Sequence, residues 1–133
     1  MKTIICFGTF DVLHLGHLNY FQQAKKIADK LIVVIARDKN TKKKKLLFTE
    51  KERLKLVQSL QIVDYAVLGS LTDQYKVIEK IKPEFILLGY DHQITEKSLT
   101  AVLKEKNLPV KVKRAKAYYP SRYKSSKIKS TVR

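Results

Sequence analysis

Short, almost wholly apolar runs alternate along the chain with stretches of helical periodicity. Residues 3–7 (TIICF) and 31–36 (LIVVIA) are continuous apolar runs, typical of strands that a parallel sheet buries on both faces. Three later runs, YAVLG, EFILLG and VKVKRA, have the same strand-like character. Between the first two runs, apolar residues recur at three- and four-residue spacing from Leu18 to Ala28, which predicts an amphipathic helix.

Capping signals predict further helices after the second strand. Thr49 and Glu52 form a T-x-x-E capping box directly before the segment RLKLVQSL. The next helix is expected to begin at a Thr72 cap and to run to Ile81, because Pro83 cannot continue it.

A last pair of helices completes the pattern. One is expected to run from a Thr95 cap to about Lys106, and the C-terminal segment SSKIKSTVR is expected to form one short helix. Strands that alternate with helices predict an α/β fold. We expect residues 1–133 to form a single Rossmann-like domain, with a doubly wound, parallel five-stranded sheet and helices on both faces.

The predicted topology also indicates where a ligand would bind. Open α/β sheets bind ligands beyond the carboxyl ends of their strands, where the strand order reverses. In this sequence those ends are residues 8–17, 37–38, 69–70 and 89–92. We therefore expect the functional site among these segments.

Composition and charge narrow the class of protein. The 28 Lys and Arg residues against 12 Asp and Glu give a formal charge of +16, which attracts nucleic acid, acidic membrane surfaces or phosphorylated small molecules. Charge without a motif does not single out nucleic acid. No apolar stretch approaches the roughly 20 residues of a membrane span, and no signal peptide is evident. With Cys6 as the one cysteine, no internal disulfide forms, and we expect a cytoplasmic protein.

The segment GTFDVLHLGH, at the end of the first strand, is suited to hold a phosphate group. The chain has neither a Walker-type loop nor G-x-G-x-x-G. Gly8 would allow a tight turn, Gly16 a close approach of the helix start, and the helix N-terminus offers unpaired N–H groups. His14 and His17 would add donors. Surface or packing roles for the two imidazoles stay open, whereas a metal site is disfavoured because His92 is the only further histidine.

These strings resemble a known family. GTFDVLHLGH is similar to the first motif of the H-x-G-H nucleotidyltransferases, and ERLKLVQSL, VDYAVLGS, LGYDH and SSKI follow in the order seen in the small cytidylyltransferases. Their C-terminal R-T-x-G-I-S-T-[ST] string is replaced here by RAKAYYPSRYKSSKI. The strings VVIARD, AVLGS, ILLGYD and SSKI instead resemble the archaeal-type FAD synthases, which also suggests an archaeal source.

The resemblance implies an activity and its substrates. AMP would be transferred from ATP to FMN, giving FAD and pyrophosphate, with Mg²⁺ as the metal and no covalent intermediate. A homodimer, small-molecule substrates and no membrane are implied as well. Two alternatives stay open: a CTP-dependent cytidylyltransferase acting on glycerol 3-phosphate or a similar ester, and a basic nucleic-acid-binding module.

The resemblance also assigns roles in catalysis. His14 and His17 would contact the triphosphate as hydrogen-bond donors, and a mobile lysine of the run 42–45, for which we favour Lys44, would reach the phosphates. Thr9 and Phe10 would offer backbone donors. Asp11 would either bind Mg²⁺ through water or hold its loop.

Other residues are expected to bind the nucleotide or the flavin. The carboxylates of Asp38 and Asp91 follow buried strands, where they can accept hydrogen bonds from ribose hydroxyls or a base amino group. Arg53 would lie close to the site by resemblance, or form a surface salt bridge to Glu50 or Glu52. The remaining expected binding residues are Gly16, Gly89, the hydroxyls Ser125 and Ser126 (alternatively a helix cap), and Tyr118, Tyr119 and Tyr123, which would stack on the flavin ring or simply pack.

Overall fold

The computed structural model describes residues 1–41 and 45–118. Its strands are β1 (Thr3–Gly8), β2 (Lys30–Ile35), β3 (Tyr65–Leu68), β4 (Phe85–Leu88) and β5 (Lys111–Arg114). Its α-helices are α1 (Leu15–Ile27), α2 (Glu50–Gln58), α3 (Tyr75–Ile81) and α4 (Glu96–Glu105), and a 3₁₀ turn covers Asp38–Asn40.

The five strands form one parallel sheet in the order β3-β2-β1-β4-β5. β1 therefore lies in the middle, and the chain winds outward from it first through β2 and β3 and then through β4 and β5. The strand order reverses at the junction of β1 and β4. This confirms the predicted doubly wound α/β fold and places the expected ligand crevice beside the end of β1.

Alternate residues of the central strands enter two separate apolar layers. Ile4 and Cys6 of β1 pack with α1 and α2, whereas Ile5 packs with α3 and α4. Both layers are built from fully buried aliphatic and aromatic side chains, which explains why β1 and β2 read as continuous apolar runs. Cys6 is completely buried in β1, as predicted, and burial raises the pKa of its thiol.

Two of the predicted capping threonines are confirmed. Thr49 accepts the N–H of Glu52 and Glu52 accepts the N–H of Thr49, so the capping box of α2 is complete. Thr95 accepts the N–H of Ser98 at the start of α4. α3 ends as expected before Pro83, through Lys82 in the left-handed conformation.

Two helix starts differ from the predictions. α3 begins at Tyr75 rather than at Thr72, because the hydroxyl of Ser70 accepts the N–H groups of Thr72 and Asp73 and holds them in a turn. α1 begins at Leu15, three residues before the apolar periodicity becomes visible, since its first residues are exposed or half-buried. The C-terminal segment expected to be helical lies outside the described residues. Within the described ranges, none of the helices has the length and apolar character that a membrane crossing requires.

Candidate active site

The histidine pair lies where β1 passes into α1. His14 is the N-cap residue of α1, and its Nδ1 accepts the backbone N–H of Gly16 at 3.0 Å. Nδ1 of His17 accepts the backbone N–H of His14 at 3.3 Å. The two rings stack with their centroids 3.9 Å apart. The helix start thus holds both imidazoles in one fixed arrangement.

These hydrogen bonds assign the tautomer of each ring. A neutral imidazole donates through one nitrogen and accepts through the other. Since both Nδ1 atoms accept backbone N–H groups, the proton of each ring is on Nε2. Nε2 of each ring is therefore a hydrogen-bond donor, on a side chain at the N-terminus of α1, the positive end of the helix dipole.

Phe10 fixes the orientation of the second imidazole. Its backbone is left-handed, with φ 54°, which is strained for a residue with a bulky side chain. Its buried ring meets the ring of His17 edge-on, with the centroids 5.1 Å apart.

The tight turn expected at Gly8 is therefore made by Phe10. No glycine among the described residues has a positive φ, so Gly8 is not needed there for its conformational freedom. Instead, a Cβ at position 8 would lie only 2.5–3.0 Å from the ring carbons of Phe10. Gly8 leaves room for that ring.

Arg53 joins three segments at the carboxyl edge of the sheet. It is completely buried, so its alternative interpretation as a surface salt bridge to Glu50 or Glu52 is wrong. Its guanidinium donates to the carbonyl of Thr9 at 2.7 Å, to the carbonyl of Phe48 at 3.3 Å and to the carboxylate of Asp38. The exits of β1 and β2 and the approach to α2 are thereby tied together.

The carboxylate of Asp38 is engaged from two sides. The Arg53 guanidinium, together with the backbone N–H of Glu50, holds the pKa of Asp38 below its usual range. Glu50 in turn accepts the N–H of Asp38 at 2.9 Å and a hydrogen bond from Arg37, and these two contacts lower the pKa of Glu50. Asp38 therefore stays ionised at the edge of the site.

The contacts of Asp11 favour its loop-holding role. The side chain is 1% exposed, and both carboxylate oxygens accept backbone N–H groups, from Leu47 at 3.0–3.1 Å and from Phe48 at 3.0 Å. No three His, Cys, Asp or Glu side chains in the described ranges are grouped so as to hold a metal ion. The described residues thus provide no metal cage of their own.

A cavity of about 200 Å³ opens beside this cluster, at the ends of β1, β2 and β3. Its floor is apolar, formed by Phe7 and Val34. Its rim is polar. Arg37, Ser70 and His92 on this rim lie in segments where the sequence analysis expected the site, without an assigned role, whereas Asn40 and Gln74 lie outside those segments. Arg37 is held there by the carbonyl of Gly69 at 2.8 Å and by Glu50. Position at a strand exit was the available signal for Arg37, Ser70 and His92, whereas no pattern in the sequence singled out Asn40 and Gln74.

The loop from β4 to α4 forms the other side of the site. Gly89 donates its N–H to Nδ1 of His92 at 3.0 Å, and a Cβ at Gly89 would lie 3.0–3.2 Å from the same ring. Asp91 is exposed between them, and its carboxylate accepts no hydrogen bond from the described residues. The loop thus places the exposed carboxylate of Asp91 beside β1, where Asp91 was predicted to bind a nucleotide.

Several predicted site residues lie outside the described part of the chain: Lys44, Tyr119, Tyr123, Ser125 and Ser126. Tyr118, the last described residue, is half-buried. The described structure brings Thr9, Phe10, His14, Gly16 and His17 together at the end of β1, and joins Asp38 and Arg53 to them through the carbonyl of Thr9. Roles in binding or catalysis stay predictions for all of these residues.

The contact between Gly8 and Phe10 predicts that alanine substitution destabilises the protein more at Gly8 than at Gly69. Gly8→Ala forces a Cβ into the Phe10 ring, and we expect a loss of about 1–3 kcal/mol in the free energy of unfolding. Gly69→Ala is the matched control, because its Cβ would meet its nearest atoms at 3.5 and 3.6 Å, which is ordinary contact. Urea unfolding of both variants checks this. Equal stability of the two would refute the packing role of Gly8.

His92 predicts a pH dependence of stability. Its burial lowers its pKa below the usual 6.5, a nearby Asp91 charge opposes this, and Arg114 adds to it. Between the two pKa values the unfolded chain binds more protons than the folded one, so stability falls as pH falls from 7.5 to 5.5. The carboxyl groups of Asp38 and Glu50, with usual values of 3.8 and 4.5, lose their stabilising effect mostly at lower pH.

His92→Asn keeps an acceptor for the N–H of Gly89 but does not titrate. We expect a flatter dependence of the free energy of unfolding on pH for this variant between pH 7.5 and 5.5. Urea titrations at several pH values measure it. Parallel curves for the variant and the wild type would contradict the assignment.

Comparison with known proteins identifies the family. The profile of the cytidylyltransferase-like family matches residues 5–131. An FAD synthase of Methanocorpusculum labreanum is 43% identical over 127 residues, covering 95% of this chain and 91% of the relative. An FAD synthase of Thermoplasma volcanium is 36% identical, covering 99% and 94%. A solved structure described as a lipopolysaccharide core biosynthesis protein of Thermoplasma volcanium has a TM-score of 0.85 and 39% identity, covering 89% of this chain and 98% of that one. This chain belongs to the cytidylyltransferase-like family.

Proposed function

We propose that this protein is an FMN adenylyltransferase, which transfers AMP from ATP to FMN and releases FAD and pyrophosphate. The observation that carries the proposal is the stacked imidazole pair at the start of α1, with both Nδ1 atoms bound by backbone N–H groups. The relatives named FAD synthase, at 36–43% identity over nearly the whole chain, support the choice of ATP and FMN.

The reaction is an in-line displacement at phosphorus. A phosphate oxygen of FMN attacks the α-phosphorus of ATP, and the bond from that phosphorus to the bridging oxygen breaks, so that the electron pair leaves with pyrophosphate. Charge accumulates on the phosphate oxygens, and catalysis consists mainly of positioning and of stabilising that charge.

The protein supplies hydrogen-bond donors for this step. His14 and His17 would donate through Nε2 to the triphosphate, close to the N-terminus of α1. Neither ring has to accept a proton, because an FMN phosphate already carries the attacking oxygen in ionised form. Cys6 takes no part, since it is buried in β1 and burial raises the pKa of its thiol.

Mg²⁺ belongs to the proposal as a companion of ATP. The oxygens of the triphosphate and water would hold most of its coordination positions, as is usual for this ion. Asp11 would contribute at most through water, because both of its carboxylate oxygens accept N–H groups of the loop.

We assign the cavity at the ends of β1–β3 to the acceptor. It opens beside Gly8 and Thr9, and an apolar floor with a polar rim suits a planar heterocycle with several hydrogen-bonding edges. Tyr118, Tyr119 and Tyr123 would cover the flavin ring, and Lys44, Ser125 and Ser126 would bind the triphosphate.

The same proposal extends to the organisation of the protein. Residues 1–133 would work as one nucleotidyltransferase domain, in a homodimer and in the cytoplasm, where ATP is available. Size-exclusion chromatography with light scattering tests the dimer.

An assay of four mixtures tests the function. The protein is incubated with Mg²⁺ and either ATP or CTP, each with FMN or glycerol 3-phosphate, while pyrophosphate release is followed. We expect release with ATP and FMN only, together with a new FAD peak in chromatography. Release only with CTP would transfer the assignment to a cytidylyltransferase. If no mixture releases pyrophosphate and the protein binds RNA or DNA with a strong dependence on salt concentration, the nucleic-acid-binding alternative is favoured.

Three substitutions of His17 distinguish the contributions of its two ring nitrogens to activity. His17→Ala removes the donor, and we expect kcat to fall about 10²–10³-fold. His17→Gln extends an amide N–H to nearly the position of Nε2, whereas His17→Asn keeps only an acceptor near Nδ1. We expect the Gln variant to retain more activity than the Asn variant, although Asn keeps the bond to the N–H of His14.

Steady-state kinetics with ATP and FMN, with the melting temperature measured in parallel, checks this order. Unchanged turnover in His17→Ala would remove His17 from catalysis. A more active Asn than Gln variant would assign a purely structural role to the ring.

A further inference from the structure

The guanidinium of Arg114 donates hydrogen bonds to three carbonyls of the loop between β4 and α4. Arg114, the last residue of β5, donates through Nη1 to the carbonyls of Gly89 at 2.9 Å and His92 at 2.7 Å. Its Nη2 donates to the carbonyl of Ile94 at 2.6 Å. The same side chain is held by Glu96, whose Oε1 lies 3.0 Å from Nε and 2.6 Å from Nη2.

The convergence of these carbonyls determines where the loop presents its N–H groups. All peptide bonds of the described chain are trans, so the N–H of a peptide points opposite to its C=O. The N–H groups of Tyr90 and Gln93, which share peptides with the carbonyls of Gly89 and His92, therefore point away from Arg114. Neither of them meets an acceptor among the described residues.

The loop that Arg114 shapes contains Asp91. The carboxylate of Asp91 accepts no hydrogen bond from the described residues, so the position of this group depends on the backbone on either side of it. That backbone is fixed by Arg114 at Gly89 and at His92, the residues that flank Tyr90 and Asp91. The result is a preformed edge of one carboxylate and outward N–H groups, which can pair with the acceptors and donors of a nucleobase or ribose.

We propose that Arg114 is a positioning residue for the nucleotide, acting through the loop that carries Asp91. The proposal rests on the proposed function for the identity of the nucleotide, ATP. By fixing the loop before ATP arrives, Arg114 removes the conformational entropy that binding would otherwise cost. A lysine cannot replace it, because one ammonium group lacks the planar fork that reaches three carbonyls and a carboxylate together.

Arg114→Lys is the variant that tests this role. We expect the Kd for ATP with Mg²⁺, measured by calorimetry without FMN, and the KM for ATP to rise about tenfold. We expect kcat to stay within about twofold and the KM for FMN to rise less than the KM for ATP, because Arg37 holds the Gly69 side of the acceptor cavity, whereas Arg114 reaches that cavity only through the carbonyl of His92 on its rim. Exchange of the amides of residues 89–94 with D₂O is expected to become faster.

A remote ion pair provides the control for lost stability. Lys25→Met breaks the contact of Lys25 with Asp64 at 2.8 Å, which lies at the amino ends of β2 and β3, away from the site. It is expected to lower the melting temperature without changing the Kd for ATP. If both variants weaken ATP binding in proportion to their loss of stability, the positioning role is overturned.

A double-mutant cycle tests whether Arg114 acts through Asp91. Asp91→Asn is measured alone and together with Arg114→Lys. We expect the substitution of Arg114 to raise the Kd for ATP much less when Asp91 is already replaced. Independent effects of the two substitutions, or a Kd within twofold of wild type in Arg114→Lys, would overturn the proposal. A wild-type protein that binds ATP but forms no FAD would refute the proposed function alone, because the Kd comparison still decides the role of Arg114.

Discussion

The geometry of the site depends on one buried cation. Arg53 is completely buried on α2, yet its guanidinium reaches the backbone of the β1 exit, the loop before α2 and the carboxylate of Asp38. A buried charge is tolerated only when it is paired and hydrogen-bonded, and Arg53 meets this condition through two carbonyls and the partly exposed carboxylate of Asp38. One buried side chain therefore holds the three segments together. Asp11 holds the same loop, because its carboxylate accepts the backbone N–H groups of Leu47 and Phe48.

The contacts of Arg53 explain how the strained backbone at Phe10 is maintained. A left-handed backbone at a bulky residue costs free energy, which the surrounding contacts must offset. Here the preceding carbonyl, that of Thr9, is held by Arg53, and the ring of Phe10 fills the space that Gly8 leaves. The turn in turn places the Phe10 ring against His17. A chain of contacts thus runs from the buried arginine through Thr9 and Phe10 to the imidazole of His17.

The sequence predicted those structural features that depend on residues close together along the chain. The caps at Thr49 and Thr95 and the histidine pair each involve groups within three residues, and all of them are found in the structure. The sequence could not predict contacts made across the sheet. Arg114 meets carbonyls 20–25 residues earlier in the chain, and Arg53 meets Thr9 at a separation of 44 residues. Even the local prediction at Thr72 was wrong, because the hydroxyl of Ser70 offered its N–H a nearer partner.

The partners of the Asp and Glu side chains help to interpret the formal charge of +16. Three carboxylates at the carboxyl edge of the sheet have internal partners: Asp11 accepts backbone N–H groups, Asp38 pairs with Arg53 and Glu96 pairs with Arg114. This edge of the sheet therefore adds little uncompensated negative charge to a chain whose formal charge is +16. A positive field over a concave site attracts small phosphorylated molecules and concentrates them there, without requiring an extended groove for a polymer. The proposed reaction, in which both substrates are anions, therefore accounts for the excess of basic residues without a nucleic-acid partner.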